Sequence, residues 1–164
     1  MRRLYYGILI SLFALIFVGC GRQVAGDEKI ARQYVEEQGY DVDFQLGEVY
    51  SYTLDKSKLF GSTESLPFQQ AWGVQQAEPD LYFGKKVIIY GFTVSDHPLD
   101  EIYHAKTNVY VMLSEGKVIG GYSFPDVEGM AGSYYSVDGK TLEEVTGLSY
   151  SEWSEKWGKK YGDS

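Results

Sequence analysis

The chain has 164 residues, and its 23 acidic residues outnumber its 15 lysines and arginines, so the formal net charge is −8. This charge repels nucleic acid and attracts cations or basic peptides, so we expect no nucleic-acid partner. The length suits a single folded core, and the lone cysteine excludes an intramolecular disulfide.

The first twenty residues have the layout of a secretory signal. Arg2 and Arg3 provide a positively charged start, and residues 4–18 form an uncharged, mostly apolar run that ends before Gly19 and Cys20. This layout predicts export across the cytoplasmic membrane. An uncleaved transmembrane anchor is the alternative, but the run falls short of the ~20 apolar residues that cross a bilayer.

Residues 16–20, with the sequence Ile-Phe-Val-Gly-Cys, resemble the lipobox of bacterial lipoproteins. They depart from it at Phe17, where the pattern usually has leucine. In that family, the cysteine receives a diacylglyceryl group and becomes the N-terminus of the mature protein after cleavage. The chain is also similar to the small, tyrosine-rich lipoproteins of Gram-positive, Bacillus-type bacteria. The resemblance implies lipidation of Cys20 and a protein anchored in the cell membrane, facing its extracytoplasmic side.

Lipidation of Cys20 would constrain the rest of the chain. It would consume the only thiol, leaving no cysteine nucleophile and no cysteine ligand for zinc. Two acyl chains bind a membrane firmly, so the anchor needs no basic patch. Cleavage before Cys20 removes two arginines and no acid, so the net charge changes from −8 to −10. We therefore expect residues 1–19 as the signal, 20–26 as lipidated cysteine and tether, and 27–164 as one extracytoplasmic domain.

The first half of this domain predicts a helix followed by one or two strands. Asp27 is a candidate N-cap, and apolar residues then recur at helical spacing as far as Gly39. Residues 40–54 change to an alternating pattern that is typical of strands, with a break near Gly47. The next segments predict a polar loop at 56–65 and a short helix at 67–76.

The second half is rich in β-branched and aromatic residues and predicts an antiparallel sheet. The predicted strands cover residues 86–95, 107–113, 118–124 and 133–137, with a hairpin turn at 114–117. Two capping-box patterns, at 141–144 and 149–152, predict the starts of two C-terminal helices. In the last helix, Trp153 and Trp157 are one turn apart, which predicts an apolar face against the sheet.

These elements together predict an α+β fold. It consists of an N-terminal helix, a mainly antiparallel sheet of about four or five strands, and C-terminal helices packed on the sheet. Long helices and strands do not alternate along the chain, so a doubly wound parallel sheet is not expected.

The segment from Asp96 to His104 is the best candidate for a metal site. It contains both histidines and three carboxylates, namely Asp96, His97, Asp100, Glu101 and His104. Pro98 fits the first turn of a short helix capped near Asp96, on which Asp100 and His104 would share a face. Imidazole and carboxylate groups bind divalent transition metals, so the alternative function is a metal-binding protein or metal-dependent enzyme. The other interpretation is a solvated connection between strands, because no further histidine is present to complete a ligand set.

Patterns for other kinds of catalysis are incomplete. No serine lies in a Gly-x-Ser-x-Gly elbow. Residues 138–141 resemble the end of a phosphate-binding loop, but Tyr134 stands where that loop requires glycine. We therefore expect a protein without catalytic activity and without a cofactor.

Tyrosine is unusually frequent, with 15 residues in the chain. Tyr122, Tyr134 and Tyr135 flank the glycine-rich stretches 120–121 and 129–132. Exposed aromatic rings beside flexible loops form contact surfaces for peptides or glycans. The alternative is that these tyrosines are half-buried residues of a sheet with one solvated face. The leading hypothesis is a non-catalytic binding or interaction module, whose partner is a cationic peptide or another envelope protein.

Overall fold

The computed structural model describes residues 21–162, with side chains from Gly26 onward. The predicted secretory signal and Cys20 lie outside the described residues. Across this part of the chain, the core is one open sheet of five antiparallel strands in the order β1-β2-β3-β4-β5. The strands are β1 (Asp41–Thr53), β2 (Lys86–Ser95), β3 (Thr107–Ser114), β4 (Lys117–Pro125) and β5 (Tyr135–Ser136). The α+β prediction with four or five strands is confirmed, and β2 has its predicted bounds.

Five α-helices accompany the sheet within the same residues. They are α1 (Gly21–Glu37), α2 (Leu66–Gly73), α3 (Pro98–Tyr103), α4 (Leu142–Thr146) and α5 (Tyr150–Tyr161). Both predicted capping boxes are present, because Thr141 and Ser149 accept hydrogen bonds from the backbone N–H groups of Glu144 and Glu152. Of the helices between residues 21 and 162, none combines the length and the apolar character that a membrane span requires.

Helix α1 differs from its prediction at the N-terminal end. The helix already includes Gly21, so residues 21–26 are helical. Arg22, Gln23 and Ala25 favour a helix and no proline interrupts them, so the helix extends past Asp27 towards the N-terminus despite two glycines. Asp27 is a buried residue inside the helix, 5% exposed, rather than its N-cap. The role of residues 20–26 as a tether stays a prediction.

Strand β1 runs through the break predicted near Gly47. Asp43, Leu46 and Val49 have no partner residue in β2 and form three bulges. Gly47 has a φ of 75°, a left-handed conformation that glycine adopts without strain. A bulge adds one residue and local twist without ending the strand. Residues 41–53 therefore form a single edge strand of the sheet.

The two faces of the sheet are covered by different helices, because successive strand residues point to opposite faces. On one face, Val35 of α1 belongs to a buried cluster with Phe92 of β2. On the other face, Trp72 of α2 belongs to a second cluster with Val87 of β2. We refer to these surfaces as the α1 face and the α2 face.

Helix α5 packs mainly on α2 and on the segment before it. Trp153 and Trp157 lie one turn apart, as their spacing predicts, with ring centroids separated by 4.8 Å. A Cβ atom built on Gly73 of α2 would come within 2.8 Å of the Trp153 indole. The indole N–H of Trp157 donates to the backbone carbonyl of Leu59 at 2.7 Å. Tyr161 joins the core cluster of the α2 face, so α5 reaches the sheet at its C-terminal end.

We expect Gly73→Ala to destabilise the domain, because the added methyl group would displace the Trp153 indole from α2. Forcing an extra carbon into packed surfaces costs about 1–3 kcal/mol. The matched control is Gly26→Ala in α1, where the added carbon has no neighbour within 4 Å. Urea denaturation measures both free energies of unfolding. Equal values for Gly73→Ala and the wild type would contradict this packing.

Candidate functional site

The histidine-carboxylate segment forms the cap of α3. The N-cap is His97, whose Nδ1 atom accepts a hydrogen bond from the backbone N–H of Leu99 at 3.1 Å. Asp100 completes a capping box by accepting from the backbone N–H of His97 at 3.2 Å. Asp96 is exposed and precedes the cap with a φ of 65°. The cap predicted near Asp96 is therefore one residue further along the chain.

His97 is a buried, neutral imidazole. Because Nδ1 accepts a hydrogen bond, Nε2 carries the proton and donates to the backbone carbonyl of Val137 at 2.9 Å. The Tyr40 hydroxyl donates to the same carbonyl at 3.1 Å. Burial lowers the pKa of His97 below its ordinary value of 6.5, against the opposing effects of the Val137 hydrogen bond and the charges of Asp100 and Asp138. The His97 side chain therefore links α3 to Tyr40, directly before β1, and to Val137, directly after β5.

The five candidate metal ligands do not converge. Helix α3 ends at Tyr103, and His104 follows with a φ of 53°, so it does not share a helix face with Asp100. Asp100 already accepts a hydrogen bond from the Thr107 hydroxyl at 2.7 Å, whereas Glu101 and His104 are exposed. Among the described residues, no group of three or more His, Cys, Asp or Glu side chains could hold a metal ion. The shared-face prediction is wrong, and metal binding stays a prediction without a geometric basis.

The tyrosines predicted as one contact surface are divided between the two faces. Tyr134 and Tyr135 are consecutive residues, so they point to opposite sides of the sheet. The Tyr135 hydroxyl forms a hydrogen bond with the Tyr103 hydroxyl of α3. The Tyr134 ring stacks on Tyr122, with centroids 4.5 Å apart and an interplanar angle of 20°. The structure thus brings together Tyr122 and Tyr134 and separates Tyr135 from them.

On the α2 face, two rows of residues that run across the strands lie next to helix α2. Residues that oppose each other in register share a face of the sheet. The first row contains Phe44, Thr93, Asn108 and Phe124. The second row contains Gly47, Gly91, Tyr110 and Tyr122. The Thr93 hydroxyl donates to Asn108 Oδ1 at 2.7 Å, which confirms that neighbouring members of the first row point the same way.

A groove of about 530 Å³ opens where these rows meet α2. Its floor is formed by aromatic rings of β3 and β4, and its walls by the first half of α2 and by residues 130–134. All of the lining residues are uncharged: Leu66, Pro67, Gln70, Tyr110, Tyr122, Phe124, Met130, Ala131, Gly132 and Tyr134. We refer to this feature as the tyrosine groove. Its volume lies within the ~300–1,000 Å³ that is usual for small-ligand sites.

Three tyrosine rings form a continuous stack in the tyrosine groove. Tyr110 stacks on Tyr122 with centroids 4.9 Å apart, and Tyr122 stacks on Tyr134. Phe124 meets Tyr134 in a T-shaped contact at 5.9 Å. Burial raises the pKa of all three hydroxyls, and the pKa of Tyr110 is raised further by Tyr134 and by the carboxylate of Asp126. The stack is therefore made of neutral phenols at physiological pH.

Gln75 fixes the end of α2 against β4. Its side-chain amide N–H group donates to the backbone carbonyls of Gly121, at 2.5 Å, and Ala71, at 2.7 Å. Its Oε1 atom accepts from the backbone N–H of Gly121 at 2.9 Å. Gly120 has a φ of 152°, and a Cβ atom there would collide with the Gln75 amide. One side chain and one glycine therefore determine how closely α2 approaches the groove floor.

Sequence reasoning missed Tyr110 and Phe124 as members of the site. Both lie in predicted strands, and alternation alone could have placed Tyr110 on the face opposite to Val109 and Val111. Alternation also places Phe124 on the same face as Tyr122, two residues away in β4. The contact of Tyr110 with Tyr122 depends on the register between β3 and β4, which no local sequence pattern determines.

Helix α1 runs from one end of the strands to the other. Near its start, Asp27 lies beside Gly116 of the β3–β4 turn. A Cβ atom added to that glycine would be 3.7 Å from Asp27 Oδ1. Beyond its end, the Tyr40 ring lies 4.7 Å from the His97 imidazole, beside α3. The chain therefore enters the domain near the β3–β4 turn, whereas Phe124 lies near the opposite end of β4.

Comparisons with known proteins give no relative for this chain. No protein-family model, curated protein or solved structure matches it significantly. Its function is therefore inferred from its residues and their geometry.

We expect the domain to lose stability below about pH 6.5 because of His97. Its pKa is lowered in the folded state, so the unfolded chain takes up a proton that the folded domain resists. The stabilisation is complete above the unfolded-state pKa and is lost as the pH falls through the lower folded-state value. His97→Asn keeps a capping oxygen without a titrating ring, so it should reduce the pH dependence of unfolding free energies measured in urea.

The matched control is His104→Asn. His104 is exposed and has a left-handed backbone, a conformation that asparagine tolerates well. This variant should keep the wild-type pH dependence. The opposite pattern, in which His104→Asn removes the dependence and His97→Asn keeps it, would contradict the assignment.

Proposed function

We propose that the protein is a lipid-anchored, extracytoplasmic binding protein whose ligand occupies the tyrosine groove. The stack of Tyr110, Tyr122 and Tyr134 in the groove is the observation that carries this proposal. Such rings provide a large contact area with little conformational entropy to lose, and their hydroxyls provide hydrogen bonds. The groove is an open concave surface of a size that suits a small ligand or a segment of a larger one.

The groove supports binding rather than catalysis. Its polar side chains are three phenols and the amide of Gln70. A general acid or base works best with a pKa near the operating pH, whereas the pKa values of these phenols are raised above their ordinary value of 10.0. Amides and neutral phenols hold and orient a ligand through hydrogen bonds.

The position of the groove is compatible with an anchor at Cys20. Helix α1 follows directly on residue 20 and starts near the β3–β4 turn, at one end of the strands. Phe124 and residues 130–132 of the groove lie away from that turn. An anchored domain would therefore hold its β3–β4 turn towards the membrane and direct the groove towards solutes outside the cell.

Removal of the lipidated thiol tests the anchor. We expect Cys20→Ala to release the protein from the membrane fraction or to block its processing, because no other residue can receive the diacylglyceryl group. Immunoblots of membrane and soluble fractions measure both effects, and Gly21→Ala is the control that retains the thiol. A Cys20→Ala protein that stays membrane-bound at the processed size would contradict the lipoprotein assignment.

A neutral, apolar dye such as Nile red tests whether the groove is an accessible binding site. Ala131→Trp places a large ring at the groove wall, so we expect it to weaken dye binding by at least about tenfold in a fluorescence titration. Lys117→Trp places the same ring at the exposed β3–β4 hairpin and should leave the affinity unchanged. Equal affinities in both variants and the wild type would contradict a binding function for the groove.

A further inference from the structure

We propose that the ligand of the tyrosine groove is a positively charged peptide with apolar side chains, and that β1 supplies part of its binding surface. This inference rests on the function proposed above, because it assigns a ligand class to the same groove. We refer to the whole surface as the open face. It comprises the tyrosine groove together with Phe44, Leu46, Val49 and Tyr50 of β1.

The part of the open face on β1 is apolar and solvent-exposed. The exposed fractions are 64% for Phe44, 46% for Leu46, 42% for Val49 and 52% for Tyr50. Single exposed apolar residues are ordinary, but a contiguous patch indicates an interaction site. The Tyr50 ring lies 6.1 Å from the ring of Phe68 in α2, so the patch continues from the strand onto the helix.

The bulges of β1 direct two of these side chains onto one face. Leu46 and Val49 are both extra residues without a partner in β2. Both lie over Gly91, because a Cβ atom built there would be 3.0 Å from Val49 and 3.1 Å from Leu46. Bulges commonly re-aim side chains next to functional sites. Here they place apolar groups over the sheet beside the tyrosine stack.

The β1 patch and the groove are joined through the register of the sheet. Phe44 lies in the same cross-strand row as Phe124 at the groove floor. Gly91, beneath Leu46 and Val49, is directly opposite Tyr110 of the stack. An extended peptide could therefore contact the edge strand and the groove at the same time.

Carboxylates flank the open face. Strand β1 contains no lysine or arginine, and its Asp41 and Asp43 carboxylates lie near Phe44 at the start of the strand. Across the sheet, directly after the end of β4, the Asp126 carboxylate accepts a hydrogen bond from the Asn108 side chain at 3.1 Å. The same carboxylate contributes to the raised pKa of Tyr110. A peptide carrying lysine or arginine would meet complementary charge at both sides.

Two lysines of the domain lie over aromatic rings at or beside this surface. The Lys106 ammonium lies 6.0 Å from the centroid of the Phe44 ring and pairs with Asp43 at 2.5 Å. The Lys58 ammonium lies 5.4 Å from the Phe68 ring. Both distances are within the range of cation–π attraction. A carboxylate and ring faces at or beside the open face therefore already bind ammonium groups, and Asp41 and Asp126 offer further carboxylates to a cationic peptide.

A second copy of the chain and a glycan fit these observations less well. Pairing two β1 strands would bring together two acidic edges, and opposed like charges destabilise a strand pair. A neutral glycan could stack on Tyr110 or Tyr134 but would gain little from Asp43 and Asp126. The charges therefore favour a cationic peptide.

The test uses the domain without its lipid and a short, dye-labelled peptide of alternating lysine and leucine. Fluorescence anisotropy should show binding that weakens as salt is raised, because the charged groups are exposed to solvent. Two matched peptides separate the contributions: one has glutamate in place of lysine, and the other has serine in place of leucine. Both should bind at least about tenfold more weakly than the lysine-leucine peptide.

Variants of the protein locate the binding surface. The double variant Phe44→Ser and Leu46→Ser alters exposed side chains and should reduce affinity at least about tenfold without lowering the melting temperature. The control is Leu81→Ser with Ile102→Ser, which removes two apolar residues outside the open face that are exposed at least as much as Phe44 and Leu46. A second double variant, Asp43→Asn with Asp126→Asn, should reduce the salt dependence of binding.

The possible outcomes separate this inference from the function on which it rests. Loss of peptide binding in the open-face variants, with normal binding in the control, supports both. If the dye binds in the groove but the lysine-leucine peptide does not bind, or binds equally to all variants, the peptide inference is wrong and the binding function stands. Specific binding of an N-acetylglucosamine oligomer in place of the peptide has the same consequence. If Ala131→Trp leaves dye binding unchanged, the proposed function itself fails.

Discussion

The register of the central strands is the constraint on which the rest of the structure depends. It places Gly47, Gly91, Tyr110 and Tyr122 in one cross-strand row. A slip of one residue in β3 would turn Tyr110 to the α1 face and would break the tyrosine stack. The same slip would expose Val109 and Val111, which are fully buried under α1. The hydrophobic core of one face thus fixes the proposed binding surface on the other.

The helices on the α2 face determine how much of that surface remains open. Helix α2 has eight residues, and it is held by Gln75 at β4 and by the Trp153 indole of α5 at Gly73. It covers one part of the face and leaves the groove open beside it. Burial of exposed apolar surface would stabilise the fold by roughly 25 cal/mol per Å². The apolar side chains of β1 stay exposed and do not contribute this stabilisation, which is common at functional surfaces.

The sequence predicts those elements whose causes are local. Alternation of β-branched residues determines β2, and the side chains of Ser149 and Glu152 determine the start of α5 within one turn. The start of α1 was missed because helix-forming residues precede Asp27, and a histidine rather than an aspartate caps α3.

The candidate site was predicted only in part, because it is assembled over long distances along the chain. Tyr122 and Tyr134 were recognised beside their glycine-rich loops, but Tyr110 joins them only through strand pairing. The wall of the groove depends on hydrogen bonds between Gln75 and Gly121, which are 46 residues apart. The bulges that turn Leu46 and Val49 onto the open face depend equally on the pairing of β1 with β2.

Hydrogen exchange followed by mass spectrometry tests the central claim most directly, because it locates the bound peptide on the domain. Exchange is measured with and without saturating lysine-leucine peptide. Occupation of the open face predicts slower amide exchange in residues 41–53 and 126–134, with no change in the β3–β4 turn at 114–117. Protection confined to α1 or to that turn, or protection that is spread evenly over the domain, would contradict the account.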